Sequence, residues 1–195
     1  MKLTTITLIL TGAYLLVASP AFSEPTEYAR SGPYVGGNVV GGSYARIDSA
    51  AGDPEADVAP GFKVYGGYRI SPAFAIEIEY EMLANADIEV NGVKGIAEIE
   101  TWIATANAKI FWMHDRIQPY TLIGMGIMNS NIDDSVGLGI SASGDGFTFR
   151  FGAGLDYYVT RSVVASVGAD YVLPAGSELE DLDLVTYGMG IQYRF

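Results

Sequence analysis

Apolar and polar residues alternate with a period of two along most of this chain, in runs of about ten residues, which predicts strands with two unlike faces. The third run is the clearest. Phe74, Ile76, Ile78, Tyr80 and Met82 share one parity, against Ala75, Glu77, Glu79 and Glu81 on the other. In the second, Phe62, Val64, Gly66, Tyr68 and Ile70 oppose Lys63, Tyr65, Gly67 and Arg69. The fourth sets Trp102, Ala104, Ala106, Ala108, Ile110 and Trp112 against Thr101, Ile103, Thr105, Asn107 and Lys109. The fifth sets Thr121, Ile123, Met125 and Ile127 against Tyr120, Leu122, Gly124 and Gly126. In the sixth, Phe147, Phe149, Phe151, Ala153, Leu155, Tyr157 and Val159 oppose Thr148, Arg150, Gly152, Gly154 and Asp156. The seventh sets Val163, Ala165, Val167, Ala169 and Tyr171 against Val164, Ser166, Gly168 and Asp170. The eighth ends in Phe195, Tyr193, Ile191, Met189, Tyr187 and Val185 against Arg194, Gln192, Gly190, Gly188 and Thr186. The first run, Pro33 to Ala45, does not resolve, because Val35 and Val39 compete with Val40 and Tyr44.

Eight such runs predict an all-β fold, an eight-stranded antiparallel up-and-down transmembrane barrel. A soluble sandwich would bury the apolar face and cover its outside with charge. Here the polar face is glycine, serine and threonine with isolated charges, which suits a narrow interior better than a solvated surface. The connections alternate in length. Short turns fall at Ser71-Pro72, Met113 to Arg116 and Thr160-Arg161, and long ones at 46–59, 83–96, 129–146 and 174–183. Short periplasmic turns and long external loops are the outer-membrane pattern, and an even strand count puts both termini on the periplasmic side. Trp102 and Trp112 share the lipid parity. At ~3.3 Å per residue and a ~40° tilt they lie about 25 Å apart along the axis, the height of an apolar band between aromatic girdles. Tyr80, Tyr157, Tyr171 and Tyr193 are expected to join them.

Composition fits a barrel wall, with 24 glycines, 13 tyrosines and only 17% charged residues. Lys2, an apolar run from Leu3 to Val17 and then Ala21-Phe22-Ser23 predict a secretory signal peptide over residues 1–23, with a barrel domain over 24–195. That run is shorter than the ~20 residues of a helical span, and no other stretch is long enough to be one. A membrane protein without such helices must close its sheet to satisfy its backbone. The absence of cysteine excludes disulfides and thiolate metal sites. A net charge of −12 leaves no basic surface for nucleic acid.

With the polar parity inward, the lumen receives Lys63, Arg69, Lys109, Arg150 and Arg194 against Glu77, Glu79, Glu81, Asp156 and Asp170, five of each sign. Eight strands leave a space that side chains roughly fill, and a lone buried charge there costs several kcal/mol. Pairing is therefore expected, with Lys63 facing Glu81 and diagonal to Glu79, and Arg150 diagonal to Asp170. The lumen is expected to be plugged. Reading Glu77, Glu79 and Glu81 as a cation path or metal site is the alternative, and no metal is expected. The four long connections carry −11 of the net charge, so the external face is expected to be acidic. Such loops could meet lipopolysaccharide phosphates through divalent cations, meet a basic partner, or simply be soluble.

Little in the chain suggests catalysis. The single histidine, His114, sits in a predicted periplasmic turn beside Asp115 and Arg116, on the wrong side for a Ser-His-acid site near the outer leaflet. Gly137-Leu138-Gly139-Ile140-Ser141-Ala142 fits a dinucleotide fingerprint by letters but lacks the strand–helix context. Neither Cys–His clusters nor HExxH occurs. No enzymatic activity and no cofactor are expected.

The C-terminal Gly190, Tyr193 and Phe195 resemble the signal by which outer-membrane barrels are recognised by their assembly machinery, though Gly188 stands where that signal usually has a polar residue. Together with Gly32-Pro33-Tyr34-Val35-Gly36-Gly37 and Pro119-Tyr120-Thr121-Leu122-Ile123-Gly124-Met125-Gly126, this end resembles the small outer-membrane β-barrel family. That family includes the barrel of outer membrane protein A and the opacity-type surface proteins. The resemblance implies an eight-stranded barrel in the outer membrane of a Gram-negative bacterium, exported through the periplasm and inserted by the assembly machinery. A monomer among outer-membrane lipid and lipopolysaccharide is expected, with a structural or surface-interaction role and no cell-wall tether. Rival readings are a porin-like ion or solute channel, a lipid-A-modifying enzyme, and a soluble lipocalin-like carrier.

Overall fold

The computed structural model describes residues 27–44, 55–56, 58–89, 97–134, 142–175 and 183–195. The proposed signal peptide and most of the long connections, including 137–141, lie outside them. The described strands are β1 (Gly32–Tyr44), β2 (Glu55–Ala56), β3 (Ala59–Ser71), β4 (Phe74–Glu89), β5 (Ala97–Phe111), β6 (Ile117–Asp134), β7 (Ala142–Tyr158), β8 (Val163–Ala175) and β9 (Leu184–Arg194). Eight of them pair antiparallel in the order β4-β3-β1-β9-β8-β7-β6-β5, and β4 pairs with β5 to close an eight-stranded barrel. The two-residue β2 pairs with β4 at Ile88 and Glu89, above the closed ring. Closure leaves no barrel strand with an open edge, which is what a β structure in hydrocarbon requires.

Strand parity sorts the side chains. Ile78, Val39, Met189 and Ile191 point outward, 73%, 67%, 64% and 64% exposed, while Arg150, Glu81 and Asp156 are fully buried inside. An apolar exterior around a charged interior inverts a water-soluble domain and matches a lipid solvent. The ambiguous first strand resolves here. Tyr34 and Val40 face inward and Val35 and Val39 outward, a choice set by register with β3 and β9.

The long connections are shorter than the alternation indicates. β4 runs on to Glu89 and β5 begins at Ala97, β6 reaches Asp134 and β7 begins at Ala142. A register shift between Leu83 and Ala86 marks where β4 leaves the regular wall. The turns at Pro72, at 112–116 and at 159–162 are short.

Candidate functional site

Five charged side chains from four strands converge in the upper lumen: Lys63 of β3, Glu79 and Glu81 of β4, Arg150 of β7 and Asp170 of β8. Lys63 Nζ donates to Asp170 Oδ2 at 2.5 Å and lies 3.4 Å from Glu79 Oε1 and 3.5 Å from Glu81 Oε2. Arg150 Nη2 donates to Glu81 Oε2 at 2.7 Å, and its Nη1 to Asp170 Oδ2 at 3.2 Å and to Glu79 Oε1. Lys63 lies opposite Glu81 in the ladder, and Arg150 lies diagonal to Asp170 because Val172 is its direct partner. The carboxylates of Glu79, Glu81 and Asp170 approach within 4.8 Å of one another, as in a metal-binding cluster. Both cations already sit among them, which supports a salt-bridge network over a metal site. Glu77, the remaining member of the β4 acidic row, belongs to the layer below, where Tyr34 Oη donates to its Oε2 at 3.0 Å.

Towards the short turns, Lys109 Nζ donates to Asp156 Oδ2 at 3.1 Å and lies 3.8 Å from the centre of the Tyr120 ring. Arg69 and Arg194 depart from the expected pairing, having no carboxylate partner among the described residues. Arg69 Nη1 donates to Gln118 Oε1 at 2.7 Å and to Tyr158 Oη at 3.1 Å, and its guanidinium lies 3.9 Å from the Phe111 ring centre. Arg194 Nη1 donates to the same Tyr158 hydroxyl at 2.5 Å, and its Nη2 to the Arg30 carbonyl. The ten charges balance in number but separate along the axis, acidic in the upper layer and basic at the short-turn end. Neutral oxygens and ring faces solvate the two lower arginines in place of ions.

The polar parity carries more than small residues and ions. Tyr34, Tyr65 and Phe111 are buried inside with Tyr120 against them, and Tyr158 is fully buried. Extending the Arg150–Asp156 parity by two places would have marked Tyr158. At the other end Leu83, Ile103, Met128, Val172 and Leu184 turn inward, each no more than 1% exposed. The inward glycines sit where large neighbours cross. A Cβ at Gly67 would meet the Tyr34 ring, and one at Gly152 the Asp170 carboxylate. The hollow left among Lys63, Tyr65, Glu77, Lys109, Tyr120 and Asp170 has a volume of about 20 Å³, room for one water.

Tyr80, Trp112, Tyr157, Tyr171 and Tyr193 lie on the lipid face, and Trp102 stacks on Tyr80 with 6.2 Å between ring centres. Gly190 faces inward against Gly37 and Asn38, while Tyr193 and Phe195 project outward with their rings edge to face at 5.2 Å. His114 lies in the 112–116 turn. Burial and the Arg69 charge hold its imidazole below the ordinary pKa, against an opposing effect of Asp115.

A family described as the outer membrane protein beta-barrel domain matches residues 9–195. The chain belongs to that family. Among solved structures it is similar to Neisserial surface protein A, at 17% identity over 85% of this chain and 98% of that one, with a TM-score of 0.64. The outer membrane protein OprG of Pseudomonas aeruginosa is 14% identical over 87% of this chain and 98% of its own, with a TM-score of 0.61. Ail, the attachment invasion locus protein of Yersinia pestis, was crystallised with the heparin analogue sucrose octasulfate. It is 17% identical over 85% of this chain and 97% of its own, with a TM-score of 0.53. No curated protein matches. At these identities the structural likeness concerns the fold. The protein is a small eight-stranded outer-membrane barrel, and the family places it in a bacterial outer membrane.

Proposed function

We propose that this protein is a non-enzymatic, monomeric barrel whose lumen is closed by its own charge network and which acts in envelope integrity or surface interaction through its external loops. The observation that supports the reading is the ion-paired interior, where charges from β3, β4, β7 and β8 interlock beside a hollow of about 20 Å³. An ion path needs a continuous file of water, and a one-water hollow beneath an aliphatic layer does not provide it. Export by a cleaved signal peptide over 1–23 and recognition of Tyr193 and Phe195 by the assembly machinery belong to the same reading. The short turns then face the periplasm.

The long connections and the strand ends that flank them carry −11 of the net charge between them. The heparin analogue found with Ail is a polyanion. An acidic loop face repels such a ligand and favours a cationic one. Divalent ions bridging to lipopolysaccharide phosphates, or a basic partner, fit it. In planar-bilayer recordings of the refolded protein, baseline current without stepwise openings is expected. Steady, reproducible openings would instead establish the porin-like alternative. Lipid A with an unchanged mass spectrum after gene deletion is the expected result for a protein that does not modify it.

A further inference from the structure

The short-turn end carries charge opposite to the rest of the chain. Five of the seven arginines lie there, Arg30, Arg69, Arg116, Arg161 and Arg194, against Glu27 and Asp115 among the described residues, with Lys109 and Asp156 paired to each other. Three of them converge on the β7–β8 turn. Arg116 donates from Nε to the Tyr158 carbonyl at 2.9 Å and from Nη2 to the Val159 carbonyl at 3.0 Å. Arg30 Nη2 donates to the Arg161 carbonyl at 3.2 Å. Arg161 projects from the turn with its side chain 70% exposed and pairs with Glu27. The Arg116 guanidinium also lies 5.5 Å from the centre of the Tyr157 ring. That ring is on the lipid face, 41% exposed, between Ile117 and Val159, which are 49% and 46% exposed. Fixed guanidinium groups therefore stand at the short-turn margin of an apolar shelf.

We propose that this turn binds the phosphate headgroup of an anionic phospholipid in the periplasmic leaflet. The proposal deepens the lipid partnership proposed above and rests on the orientation given there. The two carbonyl bonds of Arg116 use Nε and Nη2 and hold the fork in place, and no bond from Nη1 occurs among the described residues. A planar fork already fixed by its own backbone loses little freedom on meeting a phosphate. The acyl chains would lie on Ile117, Tyr157 and Val159. Inward of the turn, Arg69 and Arg194 have no carboxylate partner among the described residues, so their charge adds to the attraction. Glu27 and Asp115 oppose it without cancelling five arginines. Net positive charge selects an anionic headgroup over a zwitterionic one, whose ammonium offsets its phosphate. Lipopolysaccharide phosphates are excluded as the source, since they lie at the opposite end, beside the acidic loops.

The test is native mass spectrometry of the protein extracted in detergent and doped with equal amounts of phosphatidylglycerol and phosphatidylcholine. Each arginine near the headgroup is expected to contribute about fivefold, so phosphatidylglycerol adducts should dominate several-fold. The double variant Arg116→Gln/Arg161→Gln, verified as folded by heat-modifiable migration on a denaturing gel, should retain the two lipids nearly equally. Equal retention by the unaltered protein, or a preference unchanged in the double variant, overturns the proposal. Orientation is read separately. The chain has no cysteine, so Met113→Cys gives a single label site at the same end. It should resist an impermeant maleimide in intact cells and react after the outer membrane is opened. Reaction in intact cells would overturn the leaflet assignment while leaving the headgroup preference standing, so the two failures are distinguishable.

Discussion

Arg150 is fully buried and reaches three carboxylates, which makes it the side chain on which the upper cluster depends. Replacing it with leucine leaves Glu79, Glu81 and Asp170 with Lys63 alone. Removing one member of a buried ion network costs about 3–5 kcal/mol, because uncompensated charge remains behind. Urea unfolding of Arg150→Leu in lipid bilayers should show a loss of that size, and a loss below about 1 kcal/mol would mean that the cluster is not cooperative. His114 offers a second check at the short-turn end. Burial and the nearby Arg69 charge lower its pKa, while Asp115 raises it. Its NMR titration should fall below the usual ~6.5, and further in Asp115→Asn. The unfolded chain then binds the proton first, so this group makes stability decline as pH falls below ~6.5 and adds nothing to the pH dependence well above it.

At the scale of the strand, the wall tolerates change by depth and by face. Ala106 is exposed on the lipid side between Trp102 of β5 and Trp112 just past its end. Ala106→Lys should cost about 2–4 kcal/mol, while Met113→Lys in the short 112–116 turn should cost about 0–1. Equal costs would place Ala106 in water. Strand faces were legible from the alternation because lipid and lumen demand opposite chemistries and period two keeps them apart. The register around Pro72 followed from the short turn, which is why Lys63 opposite Glu81 could be read in advance. Three features were not legible. Val35 and Val40 suit either face, so β1 needed its neighbours to choose. The ends of β4 and β6 run past the ten-residue spans expected of a wall strand, and the alternation alone assigns them to the connections. The neutral partners of Arg69 come from β6 and β7, and only closure of the barrel brings Gln118 and Tyr158 to it.

At the scale of the whole molecule, charge is layered along the axis. Acidic residues concentrate in the sequence of the long connections and the strand ends beside them, an ion-paired cluster sits in the lumen, and arginines gather at the short-turn end. Each layer meets a different neighbour, and all of them require that the apolar parity contact lipid. Single spin labels at Ile78, Phe151 and Thr105 in bilayers measure this most directly, by collision with oxygen and with a water-soluble nickel chelate. Ile78 and Phe151, 73% and 44% exposed, should report oxygen and exclude nickel, whereas Thr105, 3% exposed in the lumen, should be shielded from both. Nickel access at Ile78 and Phe151 would contradict the account.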